Sequence, residues 1–266
     1  MFIAKYKNDI INALGVERGS ERDALYRGYS AENLLVCHCC GRFLEYRNGE
    51  KRSAYFAHTD NSDRDCAYMV FSERSRELWE LKKRLMERLS SLGYDVKVDV
   101  RLTPDYWTDL VVTLPDGGKA AIDLAQTFKN THTDTADAQK YSAYEVLYSS
   151  QGITPVVILQ PKQSVTLATR KRHIDGLKRY VAGRGRQAVW YDSEEGLLHI
   201  CDSSIDSEFV MGMDGFDIDS SGNITGGFAD FLEKERIERE KAAKEQAERD
   251  AELLRQRMER KSARRA

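Results

Sequence analysis

The sequence predicts an α/β fold, a mixed sheet flanked by helices, and three observations predict it. Leucines at helical spacing precede three short runs of strand character. Two of those runs are joined by a tight-turn sequence. A second helical stretch and a β-branched run then complete the order helix, three strands, helix, strand. At 266 residues, 41% hydrophobic and 32% charged, the chain can bury such a core and carry a smaller module beside it.

Each element has its own signal. Ser72 is a helix-capping residue, and Leu78, Leu81, Leu85 and Leu89 keep one helical face until Gly93 stops it. Residues 94–102 alternate, with Tyr94, Val96, Val98, Val100 and Leu102 on one side, as a half-buried strand does. Residues 110–114 and 120–124 flank Pro115-Asp116-Gly117-Gly118, a hairpin turn. Residues 135–148 read as a helix and the apolar run 153–159 as a buried strand.

Composition divides the chain into four regions. Residues 1–70 are turn-rich and hold a cysteine cluster, and residues 71–165 are the α/β domain. Residues 166–227 read as an extension with a basic helix and a β-hairpin. Within it, Asp217-Ile218-Asp219-Ser220-Ser221-Gly222-Asn223 opens like a calcium loop, but Phe228 stands where the bidentate glutamate is needed, so it reads as a turn. Residues 228–266 form a charged helical arm, with Glu240/Lys244 and Glu245/Arg249 at i,i+4 and a thin stripe of Ala243, Ala247, Leu254 and Met258. Such an arm is either a solvated helix or a segment that orders against a protein partner or a second copy.

No apolar run approaches the length of a membrane span, and residues 1–6 lack the core of a signal peptide, so a cytoplasmic protein with no membrane partner is expected. No phosphate- or dinucleotide-binding glycine fingerprint is present. A net charge of −2 means that any nucleic-acid binding has to come from a local patch. Arg170, Lys171, Arg172, Lys178 and Arg179, beside Tyr180, supply one, although a solvated helix face has the same composition. His173 and His199 have no companions at ligand spacing and read as ordinary residues.

Four of the five cysteines fall within residues 37–66. Cys37-His38-Cys39-Cys40-Gly41 holds a Cys-x-x-Cys, whose spacing lets two thiolates face one ion, and Gly41 permits the turn that follows. With His58 and Cys66 downstream, Cys37 and Cys40 make four soft ligands in a segment that looks too short to build its own core. The set suits a closed, structural zinc ion, with Cys39 and His38 as spare ligands.

Asp109 opens one hairpin strand and Asp123 closes its partner, so the tight turn can bring the two carboxylates together. Paired carboxylates hold Mg²⁺ or Mn²⁺, which keep several waters and stabilise charge on a phosphate. Gln126 is the nearest polar candidate for a third member, with Lys129 behind it. Either aspartate alone is equally a strand end facing solvent.

These residues resemble the competence protein CoiA-like family. The resemblance rests on Cys37-x-x-Cys40-Gly41, Tyr55-Phe56-Ala57-His58, the helix bearing Lys82, Asp109, and Ala121-Ile122-Asp123, over about residues 30–160. It implies a zinc-finger-like N-terminus before a restriction-endonuclease-like domain of the PD-(D/E)xK superfamily, with Asp109 and Asp123 as first and second metal ligands. The chain departs from that pattern at Asp123, where the family has glutamate, and at Leu78, where it often has histidine. It also departs at Ala125, which stands where a strand would present the third polar residue two after Asp123, so Gln126 needs a β-bulge to reach the site. Two functions are expected. One is a metal-dependent deoxyribonuclease of bacterial DNA uptake, repair or defence, and the other a catalytically silent DNA-binding or adaptor module on the same fold.

Overall fold

The computed structural model describes residues 1–50, 52–60, 66–72, 75–104, 106–126, 136–182, 184, 186–202 and 208–263. Its N-terminal module opens with β1 (Ile3–Tyr6) and β2 (Asp9–Asn12), followed by α1 (Glu21–Ala31), β3 (Leu35–Val36), β4 (Leu44–Arg47), β5 (Tyr55–His58) and α2 (Ala67–Ser72). β2, β1 and β3 form one antiparallel sheet, and β4 and β5 a second. Ser20 caps α1 by accepting from the Asp23 amide. The module does bury a core, contrary to the expectation from its length. Leu35, Leu44, Tyr46, Phe56, Tyr68 and Tyr26 pack together, with edge-on Tyr26–Tyr46 and tilted Tyr26–Phe56 contacts. Aromatic side chains let few residues bury much surface.

The α/β part follows the expected order. α3 (Arg76–Ser91) precedes β6 (Asp95–Thr103), β7 (Tyr106–Thr113) and β8 (Lys119–Ala125), then come α4 (Ala136–Ser150) and β9 (Ile153–Leu159). α3 is capped by Ser75, whose hydroxyl accepts from the Leu78 amide, whereas Ser72 ends α2 instead. Gly93 takes φ 85°, a left-handed turn that stops the helix where a side chain would be strained. Residues 166–227 extend the same sheet through α5 (Leu167–Ala182), β10 (Ala188–Asp192), β11 (Leu197–Cys201) and β12 (Phe209–Gly212). The seven strands run in the order β12-β11-β10-β9-β8-β7-β6. β9 is parallel to both neighbours, and the other pairs are antiparallel.

Helices cover both faces. Leu78, Leu81, Leu85 and Leu89 of α3 pack on Leu110, Val112, Ile122 and Leu124, and Phe216, Ile218, Ile224 and Phe228 join them. On the opposite face Tyr148 of α4 meets Val111 and Ala121, and Leu177, Tyr180 and Val181 of α5 meet Leu159, Ala188 and Trp190. Each fully buried leucine contributes about 1.5–3 kcal/mol. α6 (Phe228–Ala263) leaves this body as a 36-residue helix, exposed along residues 238–253. No helix among the described residues is long and apolar enough to cross a membrane.

Candidate metal centre and buried carboxylates

The tight loop from Cys37 to Arg42 builds one half of the metal centre. Gly41 N–H donates to the Cys37 carbonyl (2.8 Å), Cys37 N–H donates to the Arg42 carbonyl (2.7 Å), and Val36 bridges to Phe43. Gly41 sits at φ 74°, which lets the chain turn back beneath the thiols. His58 ends β5 opposite Leu44, and Cys66 stands just ahead of α2. Cys37, Cys40, His58 and Cys66 thereby bring one ligand atom each within 4.8 Å of one another. The Cys37 and Cys66 sulfurs are 3.7 Å apart, and Cys40 Sγ lies 3.3 Å from His58 Nε2. A tetrahedral zinc with bonds of about 2.3 Å separates its sulfurs by about 3.8 Å. The cluster can hold a metal ion of that kind.

Burial pushes the Cys37 and Cys66 thiols above their ordinary range, and each thiol sits close enough to its cluster neighbours to add to the effect. A divalent cation reverses that balance by favouring thiolate. The spare ligands are spent elsewhere. Cys39 packs on the module core, and His38 turns away to sit edge-on against Tyr68 and Trp107. Burial holds His38 down to about 4, so it packs as a neutral ring.

The second assembly lies where β7 and β8 part. Their pairing ends at Leu110 and Ile122, one step before Asp109 and Asp123. There the Leu124 amide donates to Asp109 Oδ2 (2.9 Å), so a side chain continues the hydrogen bonding that the strands have given up. Lys82 Nζ lies 2.6 Å from Asp109 Oδ1 and 2.5 Å from Asp99 Oδ1, with all three side chains at most 2% exposed. Tyr68 donates to the other oxygen of Asp99 (2.6 Å) and accepts from the amides of Phe2 and Ile3. Asp123 Oδ2 accepts from Tyr106 (2.7 Å) and Tyr148 (2.6 Å). Burial chiefly raises the Asp123 pKa and nearby Asp109 adds to it, while the Tyr148 and Tyr106 hydroxyls pull back. The structure thus brings Asp109 and Asp123 close together, each already holding protein donors.

Gln126 is directed elsewhere: its amide donates to Ser75 Oγ (2.5 Å) at the start of α3. Ala125 is buried against α5. Lys129 lies outside the described residues. The basic set on α5 divides. Arg170 bonds the Gln163 carbonyl and Glu194, and Lys178 sits 4.8 Å from the Trp190 ring centroid. Lys171, Arg172 and Arg179 face outward.

The chain matches no family model, no curated protein and no solved structure. What the two assemblies can do is therefore argued from their own chemistry. Sequence reasoning missed Asp99, Tyr68, Tyr106 and Tyr148. Asp99 falls in the polar phase of an alternating strand and reads as exposed. A left-handed φ of 51° interrupts the alternation at Asp99, which is buried. Lys82 did carry a signal, since it sits on the leucine stripe itself, four after Leu78 and three before Leu85.

Proposed function

We propose that this chain is a metal-dependent nuclease that hydrolyses DNA phosphodiesters in bacterial DNA uptake, repair or defence, in the cytoplasm, with a structural zinc ion in the N-terminal module. The observation that carries the reading is the placement of two carboxylates. Asp109 and Asp123 are both buried where β7 and β8 part, with Lys82 bridging Asp109 to Asp99 and two tyrosine hydroxyls on Asp123. Neighbouring buried carboxylates are costly unless a cation or a proton answers them. Asp109 and Asp123 form an all-oxygen donor pair, which fits Mg²⁺ or Mn²⁺. Such an ion, when bound, makes water a better nucleophile and offsets charge on the phosphate.

The chain's own residues have distinct parts in this reading. Lys82 bridges Asp109 to Asp99 and fixes the direction of the Asp109 carboxylate. Tyr106 and Tyr148 orient Asp123 by donating to one oxygen. Lys171, Arg172 and Arg179 offer positive charge to the phosphate backbone. The resemblance to the CoiA-like family, carried by Cys37, Cys40, His58, Asp109 and Asp123, supports the same assignment.

One alternative has its own support. Ala125 is packed in the core and Gln126 is held by Ser75, so neither of these two positions supplies a third polar group to the carboxylates. That favours a catalytically silent DNA-binding or adaptor protein. Plasmid cleavage with Mg²⁺ or Mn²⁺ separates the two. Asp109→Asn and Asp123→Asn should each lower the rate by roughly 100-fold or more, about 2.7 kcal/mol in barrier, while DNA binding survives. Wild-type protein that binds DNA and cuts nothing is the adaptor. Cleavage persisting in both variants places the chemistry elsewhere.

A further inference from the structure

A second cluster of metal-ligating side chains lies at the far side of the sheet, on the β10–β11 hairpin. Asp192 ends β10, Glu195 stands in the turn, and His199 lies on β11. One carboxylate oxygen from each acid and one imidazole nitrogen lie within 4.8 Å of one another. Asp192 pairs with Leu197 across the hairpin and His199 with Trp190, so Asp192 and His199 are diagonal neighbours on one face.

His199 gives this cluster a direction. Its Nδ1 is hydrogen-bonded to Glu208, and its ring stacks on Trp190 at 12°. Nε2 is buried and has no hydrogen-bond partner. A buried ring nitrogen without a partner is costly. A carboxylate on one imidazole nitrogen with the other left free is the arrangement by which proteins orient a metal-binding histidine. Asp192 is fixed as well, because Oδ1 accepts from the amides of Glu194 and Glu195 and leaves Oδ2 available.

We infer that Asp192, Glu195 and His199 Nε2 form a binding site for a divalent transition ion such as Zn²⁺, with Glu208 as the residue that orients His199. One imidazole and two carboxylates make a borderline donor set, which suits Zn²⁺ better than Mg²⁺ or Ca²⁺. Three protein ligands leave a coordination position for water or an exogenous anion. The site is independent of the nuclease reading and of the cysteine cluster.

The experiment is equilibrium dialysis of the full chain against micromolar free zinc, followed by elemental analysis, comparing wild type with His199→Gln and Glu195→Gln. Glu195 is exposed, so its replacement leaves the fold intact. Wild type should carry one more equivalent of zinc than either variant, and Glu208→Gln should weaken that equivalent by about 10- to 100-fold. Equal zinc content in wild type and both variants overturns the site. So does a loss confined to one of them, because a three-ligand site needs both.

Discussion

Lys82 is the residue on which the most depends. Its ammonium is at most 2% exposed and touches two carboxylates, so its removal leaves like charges facing each other without water. Lys82→Met fills the volume but not the charge, and should cost about 3–5 kcal/mol of stability. Thermal unfolding should show a midpoint lowered by roughly 10 °C. A change of a degree or two would mean that the carboxylates are neutralised without it. Asp23 carries a second prediction. Burial alone would raise its pKa, but the Gly19 amide, Arg27, Asn48 and Tyr46 all donate to it and hold it well below the usual carboxylate range. A depressed pKa stabilises the fold fully above the unfolded value near 4, and that contribution fades as pH falls toward the folded value. The stability gap between wild type and Asp23→Asn should therefore be widest above about pH 5 and narrow steadily in acid. A gap that stays constant down to pH 2 would remove Asp23 from the acid response.

Among the elements, α6 divides at its base. Phe228 and Phe231 pack on Phe209, and Leu232 joins them at the edge of the main core. Beyond it Arg236 bridges Glu233 and Glu240, and residues 238–253 are exposed. Truncation after Lys234 should leave the melting temperature within a few degrees, whereas Phe231→Ala should cost about 2–4 kcal/mol. A large loss on truncation would mean that the arm docks along its length. The same contrast explains what the sequence made legible. α3 and β6 were readable from one clear period each, as in Leu78, Leu81, Leu85 and Leu89, and β7 to β9 from a tight-turn sequence and a β-branched apolar run. β10 to β12 were harder, since Trp190, Tyr191 and Leu198 give short apolar runs whose place in the main sheet is set by distant partners on β9. The cysteine cluster was legible through residue type and spacing alone. The environment of Asp109 was not, because Lys82 links it to Asp99, whose left-handed backbone no period announces, and Asp99 in turn holds Tyr68 from another element.

Across the whole molecule, the metal centre and the carboxylates are joined by one line of contacts. Cys66 stands two residues before Tyr68, Tyr68 donates to Asp99, and Lys82 links Asp99 to Asp109. Stripping zinc with a chelator should loosen the loop at Cys37 and the start of α2 first. Amide hydrogen exchange should then quicken at Cys37, Gly41 and Tyr68 and, through Tyr68, around Asp99, while Val156 and Ile158 on β9 stay protected. Uniform exchange before and after chelation would mean that the cluster holds no ion. The strand order also imposes a sequence in time. The meander β6-β7-β8 has short connections and can zip within microseconds, as can the hairpin β10-β11 at the other side. β9 is different, for both of its neighbours are parallel and reach it only across a helical crossover, α4 on one side and α5 on the other. Those closures carry the greater loop entropy and come later. During synthesis from the N-terminus the metal module and the meander are complete before β9 has left the ribosome. The seam along β9 should therefore be the last part of the sheet to close.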